Sequence, residues 1–209
     1  MKKTHIIPHH FNGTIYDKYA SSLHHDANIV NQWHKQRWPN FKSSLGWHVG
    51  YHYLIESDGI IVQTREDWEE GAHVRGMNSC AIGIGLAGNF TQGSPDKLTQ
   101  AQKDSWHKLA VKLMRRHEIP RHRIHPHRRY APWKDCYGNK YSDTYFQDIL
   151  IETEEKGVET KVTEWQVKEL QKQINWIIRL LAQIKAQLQE RVAMALGRVS
   201  KKAHSQEII

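Results

Sequence analysis

The stretch "HPHRRYAPWKDC", His125 to Cys136, holds side chains of the types that bind zinc. Imidazole and thiolate are zinc's usual protein ligands, and a catalytic site combines three such donors with one open position for water. His127 and Cys136 supply two donors, but a His and a Cys nine residues apart also arise by chance. A further source lies in "IIPHH", where His9 and His10 close another predicted strand. Histidines at two strand ends plus a loop cysteine would form a three-ligand site able to activate water and polarise a carbonyl. Read by charge alone, the same stretch is a basic surface for a polyanion.

The elements that must position these donors can be read from periodicity. "THIIPHH" predicts a short buried strand, and Asp26 is an N-cap for a helix with Ala27, Ile29, Val30 and Trp33 on its apolar face. In "GYHYLIESDGIIVQT", alternating runs flank Ser57-Asp58-Gly59, the pattern of a hairpin. "CAIGIGLAG" is apolar throughout and small, which suits a central strand buried on both faces. Thr99 and Gln102 can form a capping box ahead of a helix carrying Trp106, Leu109, Ala110, Leu113 and Met114 on one face, with Pro120 beyond its end. A last strand is predicted around Arg123–His125. Helices interleaved with one hairpin and other strands give an α/β class with a mixed central sheet flanked by helices.

The composition shifts near residue 150, so residues 1–150 form the predicted catalytic domain and the acidic stretch 151–163 a linker. In 164–209, Val167, Leu170, Ile174, Ile177, Leu181, Ile184 and Leu188 alternate spacings of three and four. That is a heptad seam on a long C-terminal helix, and Leu at a with Ile at d in the later repeats favours bundles larger than dimers. Self-association to a homo-oligomer is the favoured reading, ahead of docking onto the catalytic domain. An amphipathic helix at a membrane or wall surface is a third, since nine Lys/Arg face four Glu from Lys161 onward.

The 209 residues carry a net charge of +8, and anionic partners follow: nucleic acid, an anionic membrane surface or bacterial cell wall. Two cysteines, Cys80 and Cys136, are too few for a disulfide scaffold. "MKKT" has the basic start of a secretory signal, but "HIIPHHFNGT" supplies no apolar continuation. "WIIRLLA" is too short and too interrupted to span a membrane. The expectation is synthesis in the cytoplasm with reduced thiols.

The chain from about His5 to Tyr145 resembles the type-2 N-acetylmuramoyl-L-alanine amidases, the family of phage endolysins that shares its fold with the peptidoglycan recognition proteins. Six stretches carry the likeness in order: "IIPHH", "IVNQWHKQR", "GYHYLIESDGIIVQTR", "GAHVRGMNSCAIGIGLAGNF", "LTQAQKDSWHKLAVKLM" and "PHRRYAPWKDC". The resemblance implies zinc held by His9, His127 and Cys136. It also implies Tyr51 and Lys134 as catalytic residues and His73 in "GAHVRG" as a substrate-groove residue. The implied reaction is hydrolysis of the amide between N-acetylmuramic acid and L-alanine in bacterial peptidoglycan, with Tyr51 and Lys134 stabilising the developing oxyanion. The enzyme would act on the wall after release from the cell that made it.

This chain departs from the family pattern in three places. Cys136 is followed by Tyr137-Gly138 where Cys-Pro is usual, which predicts a less constrained loop. The interval from His127 to Cys136 is one residue longer, with Trp133 as the insertion, and His9-His10 is followed by Phe11 rather than Ser or Thr. His10 is expected to be structural, because strand alternation points it away from His9. His125 is also assigned a structural place, and Cys80 a buried one. Arg121, Arg123, Arg128 and Arg129 are expected to form a solvated face that can meet anionic substrate. A non-catalytic peptidoglycan-binding module on the same fold is the alternative reading, and retention of Cys136 argues against it. No nucleic-acid-binding motif appears.

Overall fold

A computed structural model describes residues 1–11 and 19–155, together with eight helical positions between 171 and 188. The chain divides into two units, Met1–Gly157 and Val158–Ile209. In the first, a four-stranded sheet runs in the order β1-β4-β2-β3. Strand β1 (His5–Phe11) lies parallel to β4 (Ala81–Ala87), which lies parallel to β2 (Tyr53–Ile55). Strand β3 (Ile61–Gln63) closes the hairpin antiparallel to β2. Helices α1 (Ala27–Arg37), α2 (Gln100–His117) and α3 (Tyr145–Glu155) complete the unit. This is the mixed sheet with helices that the periodicity predicts.

The sequence of β4, "AIGIGLA", explains how the two sheet faces come to differ. Successive side chains in a strand point to opposite faces. Ile82, Ile84 and Leu86 therefore share one face, and with Ile6, Tyr53 and Ile55 they pack into a core with Trp106, Leu109 and Leu113 of α2 and Phe146 of α3. Trp106 is fully buried, and its indole N–H donates to the Phe146 carbonyl at 3.0 Å. Truncating such a side chain to alanine costs about 3–5 kcal/mol.

Ala81, Gly83, Gly85 and Ala87 fall on the other face, where small residues leave space above the sheet. A Cβ on Gly83 would stand 2.7 Å from the His73 ring, and one on Gly85 would stand 3.1 Å from Tyr51. Along β1 the register sets His9 opposite Gly85. Helix α1 lies on this side, burying Ala27 and Val30 against Phe11, Leu54 and Ala87. One face of the sheet is thus a large-residue core, and the other is a shallow bed for polar rings.

Local signals account for the helix ends. The Asp26 side chain accepts from the Ile29 N–H, capping α1. Thr99 and Gln102 form the full capping box of α2, with each side chain bonded to the other's backbone N–H. Such a cap contributes about 0.5–2 kcal/mol. Glu118, in the left-handed region at φ 54°, ends α2 two residues before Pro120.

Three local expectations differ from the structure. The strand predicted at Arg123–His125 is a 3-10 turn over Arg121–Arg123 followed by a single bridge, Ile6 to Ile124. Pro120 and Pro126 bracket this segment and lack the N–H groups a longer ladder needs. Helix α3 continues to Glu155, so the first residues of the expected 151–163 linker are helical. Cys80 precedes β4 and is half-buried rather than buried; both cysteines are free. Lys3 of the basic "MKKT" opening is 1 % exposed and part of the fold. The heptad seam lies outside the described residues except for isolated positions, of which Ile174, Ile177, Leu181, Ile184 and Leu188 are helical and exposed. Among the described residues no helix is long and apolar enough to cross a membrane.

Candidate metal centre and active site

Strand β1 delivers His9 to the small-residue face of the sheet, where it is 1 % exposed. His127 begins a 3-10 turn right after Pro126, and its ring lies 4.8 Å from that of His9 between centroids. The Cys136 sulfur sits 3.5 Å from His9 Nδ1. One ligand atom from each of His9, His127 and Cys136 lies within 4.8 Å of the other two. His10 points to the opposite face as alternation requires, and its Nδ1 accepts from the Phe90 N–H at 3.1 Å. His125 is half-buried with His5 and Tyr130. The structure therefore separates His9 from His10 and His127 from His125.

The chemistry of the donors suits a zinc ion. Zinc about 2.1 Å from nitrogen and 2.3 Å from sulfur, at a tetrahedral angle, sets those atoms about 3.6 Å apart. The observed separation of His9 Nδ1 and Cys136 Sγ is 3.5 Å. Burial holds the His9 imidazole well below its ordinary pKa, reinforced by His73 and His127. Burial, with the charge of Lys134, lowers that of His127 to about 4. Both rings are therefore neutral near pH 7 and present the lone pairs a metal needs. Burial pushes the Cys136 thiol up to about 12, opposed by a bond at the His10 carbonyl and by the charges of Lys134 and Arg128. A buried thiol of this kind becomes a thiolate when a cation binds it.

The loop carrying Cys136 is anchored without the missing proline. The Arg128 N–H donates to the Cys136 carbonyl at 3.0 Å. Tyr137 is fully buried, its ring 4.5 Å from that of Phe146 and its hydroxyl donating to the Ser142 carbonyl at 2.6 Å. Its side chain restrains the loop by filling the core, so the less constrained loop expected from Tyr137 is not found. Arg128 also leaves the predicted solvated face. Its guanidinium bonds the Asp143 carboxylate at 2.6 Å and the carbonyls of Gly138 and Tyr141 at 2.6 and 2.8 Å. Arg121, Arg123 and Arg129 are exposed as expected.

Three more predicted site residues surround the donors. The Tyr51 ring lies 4.9 Å from His9, over the space left by Gly85, and burial raises its hydroxyl pKa so that it stays protonated. Lys134 is exposed, and its charge acts on His9, His127 and Cys136 alike. His73 is 8 % exposed and stacks over Gly83, with its Nδ1 3.1 Å from His9 Nε2. If Nδ1 of His9 faces the metal, its Nε2 carries the proton and donates to His73.

Support beneath these rings was not legible in the sequence. Asn78 accepts from the backbone N–H groups of His73 and Val74, both at 2.8 Å, fixing the segment that carries His73. The His52 ring lies 5.8 Å from that of His73, its Nδ1 accepting from the Gly83 N–H at 3.2 Å. Lys3 sits under His52 and donates to the carbonyls of Glu69, Ser79 and Ala81 at 2.8, 3.2 and 3.3 Å. Alternation of glycine and isoleucine in β4 was the available signal for a bed of rings on one face.

A mixed sheet thus carries a His/His/Cys donor set on its small-residue face, with a tyrosine and a lysine beside it, the donor types that a zinc site uses. Residues 1–142 match the family profile of the N-acetylmuramoyl-L-alanine amidases, and the chain belongs to that family. It is 36 % identical over 87 residues to the endolysin of Klebsiella phage KP32, covering 40 % of this chain and 52 % of the relative. It is 35 % identical over 92 residues to the endolysin of Escherichia phage T7, covering 43 % and 56 %. The chain thus spans about half the length of these curated relatives. An endolysin N-acetylmuramoyl-L-alanine amidase from Clostridium intestinale superposes with a TM-score of 0.56 at 26 % identity, over 74 % of this chain and 85 % of that one. Drosophila peptidoglycan recognition protein LB shares the fold at a TM-score of 0.52 and 19 % identity, covering 73 % of this chain and 79 % of that chain.

Proposed function

We propose that the chain is a zinc-dependent hydrolase of peptidoglycan that cleaves the amide between N-acetylmuramic acid and L-alanine, acting as a phage or prophage endolysin. The observation that carries this reading is the convergence of His9, His127 and Cys136 donor atoms within 4.8 Å, two of the residues buried and the third half-buried. Family membership supports the bond cleaved, and similarity to phage endolysins supports the setting.

Zinc held by these residues would supply a Lewis acid and bring the pKa of a bound water to about 7. The protein's own groups do the rest. Lys134 brings an exposed ammonium group to the side of the site where negative charge develops on the carbonyl oxygen. Tyr51, kept protonated by burial, can donate a hydrogen bond to the same oxygen. Donors of this kind typically contribute ~10²–10³-fold in rate. His73 Nδ1 accepts a hydrogen bond from the His9 Nε2–H and so fixes the orientation and tautomer of that ring. The His73 Nε2 is buried, and the residue is 8 % exposed, so its role here is to orient His9.

The test is hydrolysis of purified peptidoglycan with and without a chelator, followed by zinc add-back and product analysis. Chelator-sensitive release of peptides with a free L-alanine amino terminus is expected. Wall binding without cleavage in the presence of zinc would make the chain a recognition module and overturn the reading.

For residues 164–209 we propose self-association through the heptad seam, which would place several catalytic domains on one wall. Exposure of Ile174, Ile177, Leu181, Ile184 and Leu188 in the isolated chain supports an apolar stripe available to a second copy.

A further inference from the structure

Trp133 is 81 % exposed, more than any other large apolar side chain among the described residues. It occupies the third position of a β-turn closed by the Lys134 N–H donating to the Ala131 carbonyl at 2.9 Å, with Pro132 before it. Proline in the second position of such a turn presets the backbone and stiffens the tip.

The tip is tied at both ends to the metal centre. The Ala131 N–H donates to the carbonyl of His127 at 3.1 Å, and the Cys136 carbonyl accepts from Arg128, itself next to His127. Ala131 is buried, at 6 % exposure. Trp133 and Cys136 are three positions apart, a reach of at most roughly 11 Å between their Cα atoms. The neighbouring Lys134 already acts on all three donor residues. A rigid turn therefore holds a broad indole at the rim of the active site, in water, where it does no packing for the fold.

We infer that Trp133 is a substrate-positioning residue: a platform on which a pyranose ring of the glycan strand stacks. This rests on the peptidoglycan reading above. The substrate has two arms at the scissile amide, a peptide arm that begins with alanine and a glycan arm built of pyranose rings. Only the glycan arm presents wide C–H faces beside polar edges, the complement of an exposed indole. A preset aromatic gains contact area at small conformational cost.

The experiment uses the full-length zinc-loaded chain and its W133A and W133F variants. Binding to peptide-free glycan strands is measured by co-sedimentation or calorimetry, and hydrolysis is measured on intact peptidoglycan. W133A should weaken glycan binding about tenfold and raise KM by a similar factor, with kcat within about twofold, the scale of one lost aromatic contact. W133F should recover most of both losses, and zinc content and Tm should stay unchanged in both variants. Unchanged glycan affinity and KM in W133A would overturn the inference. So would a loss seen equally in kcat, zinc content and Tm, which would make Trp133 a structural residue. A wild-type chain that binds glycan strands through Trp133 without cutting the wall would defeat the hydrolase reading and leave the platform standing.

Discussion

His73 Nδ1 and His9 Nε2 lie 3.1 Å apart, with the His73 ring lying over Gly83 of the central strand. The contact links His9, the proposed zinc donor, to the backbone of β4 through one imidazole. It persists because glycine at position 83 leaves the ring room, and because Asn78 holds the segment that brings His73 in.

Gly83→Ala therefore perturbs the centre without altering any donor. The new methyl would stand 2.7 Å from the His73 ring and must displace it. Loss of an orienting partner typically costs 10–100-fold in metal affinity, and crowding in the packed bed adds about 1–3 kcal/mol of destabilisation. Competitive zinc titration and thermal melts should show both effects. Wild-type zinc affinity in this variant would remove the orienting role from His73.

Donors and auxiliary residues should separate by phenotype. H9A and C136A are expected to lose stoichiometric zinc and wall lysis together, by metal analysis and turbidity assay. Y51F and K134M are expected to keep zinc and Tm but fall by ~10²–10³-fold in kcat. Retention of full activity in either donor variant would refute the ligand assignment.

Asp67 ties the end of α2 to the segment after β3. It accepts from Tyr53 at 2.6 Å, Arg116 at 2.9 Å and His117 at 2.7 Å. Burial alone would raise its carboxyl pKa, but the hydrogen bonds from Tyr53, His117 and Arg116 outweigh it and hold the carboxyl below its ordinary value of 3.8. With the folded value below the unfolded one, the stabilisation is complete above the unfolded pKa and is lost as pH falls through the folded one. D67N should cost about 1–3 kcal/mol near pH 7. The gap in Tm between variant and wild type should narrow on acidification below about pH 4. A constant gap across that range would show that the carboxylate charge contributes nothing.

Cutting the chain after Gly157 removes the second unit. The shortened protein should sediment at monomer mass and retain hydrolysis of soluble fragments, while lysis of whole walls falls as multivalency is lost. If the full chain also sediments as a monomer, the heptad stripe does not join copies under those conditions.

Much of the local structure was written in the sequence by short-range physics. The 3.6-residue apolar spacing and the Thr99–Gln102 box placed α2, and Ser57-Asp58-Gly59 between alternating runs placed the hairpin. Strand alternation by itself separates His9 from His10, because a two-residue period sends neighbouring side chains to opposite faces. Packing over long separations was not written there. That Tyr137 packs on Phe146 and that Arg128 is held by Asp143 and two carbonyls depend on how the loop folds back on itself, which no local period encodes, whereas the single bridge at Ile124 follows from the flanking Pro120 and Pro126. The sequence by itself determined which residues could serve as donors. Tertiary structure decided which donors meet and what supports them, since it brings His9 within 3.5 Å of a sulfur 127 positions away and sets His73 behind it on a bed of glycine.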